Sequence, residues 1–218
     1  MNLLRPTVLS LALVLGACSP TEPATTAAPS GADADAAAPA QAADAFLAAI
    51  AAHCGKAYAG RIVANTPASD APDPFEGKAL VMHVRGCDQP TQELRVPFHV
   101  GDDHSRTWVL TRTADGLRLK HDHRHEDGSD DAVTMYGGDT VADGTAQRQA
   151  FPVDAESIAM FEREGLNASV SNTWAMEIGP GDRFLYELSR PEGRMFQVEF
   201  DLSTPVETPP APWGAGQG

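Results

Sequence analysis

From Leu80 onward, apolar residues recur at every second position in short runs separated by turn residues, and this period excludes a helical core. Leu80, Met82 and Val84 alternate with Val81, His83 and Arg85. Leu94, Val96, Phe98 and Val100 alternate with Arg95, Pro97 and His99, a half-buried strand whose Pro97 points to an edge or a bulge. Gly101-Asp102-Asp103-His104 reads as a turn, Trp108 and Leu110 lead the next strand, and Ala114-Asp115-Gly116 turns it. Leu117 to His125 forms another strand, Glu126-Asp127-Gly128-Ser129 turns again, and Ala132 to Tyr136 runs into Gly137-Gly138. Three more strands follow around 174–178, 183–189 and 194–202. Turn signals every 8–12 residues mark an antiparallel meander.

Two short helices interrupt this pattern. Asp44 is a candidate N-cap for a helix with Phe46, Ile50 and Cys54 on one face and Gly55 as its stop. A second runs from Asp154 to Glu164, with Ile158 and Phe161 at helical spacing and Gly165 behind it. About nine or ten strands with few long crossovers predict a mainly β fold, an antiparallel meander closing into a lipocalin-like β-barrel over residues 43–202. That likeness concerns the fold alone and implies no activity.

The amino terminus reads differently. Arg5 and an apolar stretch from Val8 to Leu15 precede Leu15-Gly16-Ala17-Cys18, and the apolar stretch is too short for a permanent membrane span. These four residues resemble the lipobox of bacterial lipoproteins. The resemblance implies that 1–17 is a cleaved signal peptide, that Cys18 is lipidated, and that three acyl chains hold the protein firmly on a membrane. Ser19 follows, where an aspartate would imply inner-membrane retention, so the expected location is the outer membrane, facing the periplasm. Residues 18–42 are rich in Ala, Pro, Thr and Ser, with almost no bulky apolar side chain, and read as a tether. Residues 203–218, with Pro205, Pro209, Pro210 and Pro212, read as a disordered tail. With Cys18 lipidated, Cys54 and Cys87 remain as an even pair in an oxidising compartment and are expected to form a disulfide; the plainer alternative is two buried thiols.

The formal charge of −14 becomes one unit more negative once Arg5 is removed. Such a surface repels phosphate backbones and anionic lipid, which argues against nucleic acid and against peripheral membrane binding. The expected partners are the membrane, through the lipid anchor, and either a small apolar ligand or an envelope protein.

Chemistry concentrates in His121-Asp122-His123-Arg124-His125-Glu126-Asp127. On a strand, His121, His123 and His125 continue the apolar face of Leu117 and Leu119 toward the turn, which places them at the mouth of the barrel. Two imidazoles at i and i+2 suit a zinc-type divalent metal, with a third ligand from His104, Asp127, Asp130 or Asp131. The plainer reading is a polar strand end whose histidines pair with neighbouring carboxylates. Trp108, Tyr136, Trp174 and Tyr186 are candidates for lining an apolar ligand pocket, or simply for filling the core. No Gly-x-Ser-x-Gly elbow supports a serine hydrolase, and Gly137-Gly138 reads as a turn. Residues 121–128 and Tyr136-Gly137-Gly138 resemble stretches of uncharacterised bacterial secreted proteins and lipoproteins, a resemblance that brings no activity with it. Three readings stand: a ligand-binding lipoprotein, a metal protein or metal-dependent enzyme, and a non-catalytic envelope interaction protein.

Overall fold

Apolar side chains on the inner faces of the strands pack into the core of a barrel whose two ends differ. The computed structural model describes residues 31–67, 73–142, 144–179 and 183–216. The expected signal peptide, Cys18 and the first part of the expected tether lie outside the described residues.

The chain runs through α1 (Gly31–Ala51), β1 (Ala57–Thr66), β2 (Leu80–His83), β3 (Glu93–Val100), β4 (Asp103–Arg112), β5 (Leu117–His123) and β6 (Tyr136–Asp139). It continues through β7 (Arg148–Pro152), α2 (Ala155–Arg163), a 3-10 turn (Asn167–Ser169), β8 (Thr173–Gly179), β9 (Arg183–Ser189) and β10 (Met195–Val206). The strands form one ten-stranded antiparallel sheet in the order β6-β5-β4-β3-β2-β1-β10-β9-β8-β7. It curls into a nearly closed barrel, the mainly β architecture expected from the sequence.

The seam lies between β6 and β7 and depends on glycine. The Asp154 amide donates to the Gly137 carbonyl at 2.9 Å, and the Gly137 amide donates to Ser157 Oγ at 2.8 Å. A Cβ at Gly138 would sit 1.8 Å from the Pro152 carbonyl oxygen, and one at Gly137 would sit 1.9 Å from that of Leu119. Gly137-Gly138 is therefore not a turn. It is β6 itself, stripped of side chains so that two backbones can meet.

The interior is filled. Leu94, Val96, Phe98, Trp108, Leu110 and Phe200 belong to one buried apolar cluster that reaches both helices through Phe46 and Phe161. α1 covers the end of the barrel at which β1 starts, and buries Ala43, Phe46, Leu47 and Ile50. Three features hold it there. Cys54 and Cys87 form a disulfide with Cα atoms 6.2 Å apart, the Gly55 amide donates to the Val84 carbonyl at 2.7 Å, and Arg112 pairs with Asp44 at 2.6 Å. Asp44 thus lies within the helix and serves an ion pair, not as its N-cap. The helix starts at Gly31, inside the stretch read as a tether, because an Ala-rich segment has high helix propensity and only its last turns need a core to pack on.

α2 follows the sequence reading closely. Asp154 caps it by accepting from the Ser157 amide at 2.8 Å, Phe161 is buried, and Gly165 leaves it at φ +74°. Past the end of β10 the chain is not a free tail. The Trp213 amide donates to the His104 carbonyl at 3.0 Å, and the indole meets the His104 ring edge-on with centroids 6.4 Å apart. Prolines restrict the segment without preventing it from lying along the outer face of the sheet. No helix among the described residues is long and apolar enough to cross a membrane.

Candidate functional site

The end of the barrel opposite α1 is formed by the longer connections: 73–79 ahead of β2, 124–135, α2 with its 3-10 turn, and the β9–β10 turn at Arg190–Arg194. A cleft of about 270 Å³ opens here, with Tyr136, Phe161, Trp174, Tyr186 and Phe196 as aromatic wall and His123, Asp131, Asn172 and Arg190 among its polar lining. Meander topology is the reason they meet: the C-terminal ends of β5, β7 and β9 and the N-terminal ends of β6, β8 and β10 all emerge on this side.

Three of the four aromatic candidates, Tyr136, Trp174 and Tyr186, line this cleft. Trp108 does not. It lies beneath Tyr186, stacked at 4.6 Å between centroids, with Phe98 stacked behind it at 5.0 Å. Its position in the middle of β4 points its indole into the filled interior, so it supports the cleft floor without facing the opening.

The histidine row divides along its length. His121 is buried and stacked face to face on Tyr136 at 4.7 Å. Its Nδ1 lies 3.2 Å from the Tyr136 carbonyl, which can only accept, so Nδ1 carries the proton. Nε2 then accepts from the Tyr186 hydroxyl at 2.9 Å. Burial, followed by the neighbouring His123, pushes the His121 pKa down to about 3, so the ring is neutral across physiological pH. The Tyr186 hydroxyl is raised well above its ordinary value, chiefly by burial and next by Tyr136. The Trp108 side chain, stacked beneath Tyr186, acts in the opposite direction on that hydroxyl.

His123, one pleat nearer the opening, is held at Nε2 by the Tyr136 hydroxyl at 3.1 Å. Desolvation, with Arg106 next, lowers its pKa to about 4. His125 leaves the row. β5 ends at His123, Arg124 bridges to Asp130, and His125 is exposed in the turn. The expected continuation of the strand to His125 fails because Gly128 turns the chain back, with the Gly128 amide donating to the His125 carbonyl at 2.9 Å.

The proposed third metal ligands are equally dispersed. His104 is on the outer face, with Nδ1 2.7 Å from Nδ1 of His99; Asp127 accepts from the Ser129 amide; Asp130 pairs with Arg124; Asp131 stands at the cleft. Among the described residues, no three His, Cys, Asp or Glu side chains form a group suited to a metal. His121 has both ring nitrogens committed, and the row supplies structure to the cleft wall.

A larger cleft of about 490 Å³ lies outside the barrel beneath Pro212–Gly216. Its central carboxylate, Asp122, accepts from Arg124 at 2.8 Å and faces Arg95 at 3.7 Å, so these charges answer one another. The smaller cleft therefore has the better claim, because it joins aromatic area to polar groups that are not mutually neutralised.

No protein-family model, curated protein or solved structure matches this chain.

The residues sequence reasoning missed are Phe161, Asn172, Arg190 and Phe196. Phe161 was legible as an inward helix position, but its place beside Tyr136 (centroids 5.3 Å) depends on how α2 folds back over the seam. Arg190 sits in a turn, where an isolated arginine carries no local signal.

Proposed function

We propose that this chain is a lipid-anchored protein of the bacterial envelope, held by Cys18 and facing the periplasm, whose barrel binds a small, largely apolar ligand at its open end. One observation carries the binding reading: Tyr136, Trp174 and Tyr186 converge on an open cleft of about 270 Å³ at one end of an otherwise filled barrel. That volume lies just below the usual range for drug-sized ligands, roughly 300–1,000 Å³, so the ligand is small. The anchor rests on the signal-like leader and the lipobox resemblance. Because His121 and His123 are neutral and hydrogen-bonded to tyrosines, the reading assigns them no catalytic step.

Native mass spectrometry of the full chain, purified from membranes without chelators, tests both parts. An acylated Cys18 together with an organic adduct that is lost in Trp174→Ala supports the proposal. An unmodified Cys18 overturns the anchor. A bare mass overturns ligand binding, and a metal adduct that disappears in the His121→Ala, His123→Ala double variant replaces it with a metal site.

A further inference from the structure

The charged groups of the mouth cleft indicate which small molecules it takes. Arg190 is half-buried at the cleft, and its Nε donates to Asn172 Oδ1 at 2.6 Å. Among the described residues it forms no ion pair; Glu192 acts on it only at longer range and is opposed by Arg194, so its guanidinium has no carboxylate in contact at the cleft. Asp131 lines the same cleft, is also half-buried, and uses Oδ1 to accept from the Val133 amide at 2.8 Å. It too lacks an ion pair among the described residues. The two residues approach from different connections, β5–β6 for Asp131 and β9–β10 for Arg190. In the closed order β7 and β8 lie between those strand pairs, so the two charges reach the cleft from separate connections, and they form no ion pair with each other.

The aromatic wall lines the same cleft. A neutral apolar ligand would strip water from both charges and give neither a partner. A simple carboxylate would answer Arg190 and bring a like charge toward Asp131; a simple amine would do the reverse. Only a molecule with both charges and an apolar body satisfies all three surfaces.

We propose that the mouth cleft binds a small zwitterion with an apolar side chain, of the amino-acid and short-peptide class, with Arg190 receiving its carboxylate and Asp131 its ammonium group. This inference rests on the ligand-binding reading above and adds the chemical class. The apolar side chain packs among Tyr136, Phe161 and Trp174. His123, neutral and held by the Tyr136 hydroxyl, adds no charge to the balance.

The test is calorimetric titration of the full chain in detergent with five compounds sharing one ring: phenylalanine, the dipeptide phenylalanyl-alanine, 3-phenylpropionate, phenethylamine and the uncharged 3-phenylpropanol. At least one of the two zwitterions is expected to bind about tenfold or more tightly than the anion, the amine and the alcohol. Free amino acid ahead of dipeptide, or the reverse, identifies which spacing of the charges fits. In Arg190→Gln the zwitterion should fall to the level of the amine, and in Asp131→Asn to that of the carboxylate. Equal binding of all five compounds, or tightest binding of the alcohol, overturns the zwitterion while leaving an apolar binding site. Failure of all five to bind overturns the zwitterion and, with a bare mass in the native spectrum, the binding reading as well.

Discussion

The two ends of the barrel are built from the same ten strands and do opposite things. At one end α1 inserts Phe46, Leu47 and Ile50 beneath the strands, and a disulfide, a backbone hydrogen bond and an ion pair hold it in place. At the other, aromatic side chains of β6, β8 and β9 meet longer connections that leave an open cleft. The difference teaches how a small barrel supports a binding site: one end carries the stability, which lets the other keep polar groups half-satisfied.

The largest break of this contrast is Phe46→Ala. It should cost about 3–5 kcal/mol in urea unfolding, because it leaves a cavity where α1 meets the core. The Cys54→Ser, Cys87→Ser double variant comes next. In the chain-entropy view, opening a loop of 33 residues costs about 3–4 kcal/mol, read as a lower midpoint with the open end's ligand affinity unchanged once the protein is folded.

Acid probes the floor of the open end. His121 has a folded pKa of about 3, well below its unfolded value near 6.5, so the unfolded state binds the extra proton between these limits. Its contribution is complete above pH 6.5 and is lost as pH falls toward 3. By pH 5 the loss should be about 2 kcal/mol, and His121→Gln should flatten that part of the stability profile. His99, lowered to about 4 by burial and His104, adds a separate loss over its own window that His121→Gln leaves in place. The smallest effect belongs to Tyr186→Phe. Removing the hydroxyl strands His121 Nε2 and should cost about 1–2 kcal/mol, while a thermal melt still shows one cooperative transition. A Tyr186→Phe penalty matching that of Phe46→Ala would erase the distinction between the ends.

Much of the fold was legible because half-buried strands advertise themselves. β3 and β10 carry large apolar residues at every second position (Leu94, Val96, Phe98 and Val100; Phe196, Val198, Phe200 and Leu202), and α2 carries a cap, an inward face and a stop. β1 was not legible. Its positions alternate in burial from Tyr58 to Ala64, but the inward side includes Gly60 and Ala64 and the outward side Ala59 and Val63, so the sequence shows little apolar contrast between the two faces. The expected strand at Ala132–Tyr136 became β6 at Tyr136–Asp139, after Met135 adopts φ +54° and redirects the chain. Of the candidate site, Tyr136, Trp174 and Tyr186 were visible as aromatic strand residues suited to a pocket or a core, and barrel closure placed them at the cleft. Arg190 and Asp131 were not singled out as a pair, since residues 59 positions apart in two unrelated turns share no local pattern.

Readable from the residues alone were the class of fold, the inward parity of His121 and His123, the even pair of Cys54 and Cys87, and the helix at 155–163. Each follows from local period, parity or counting. Tertiary structure alone decided which end α1 would seal, that Trp108 would support the cleft and not line it, that the histidine row would end at His123, and that two unlike charges would line one opening. Those outcomes depend on how the sheet curls and where β6 meets β7, and barrel closure brings together side chains that sequence separation keeps far apart.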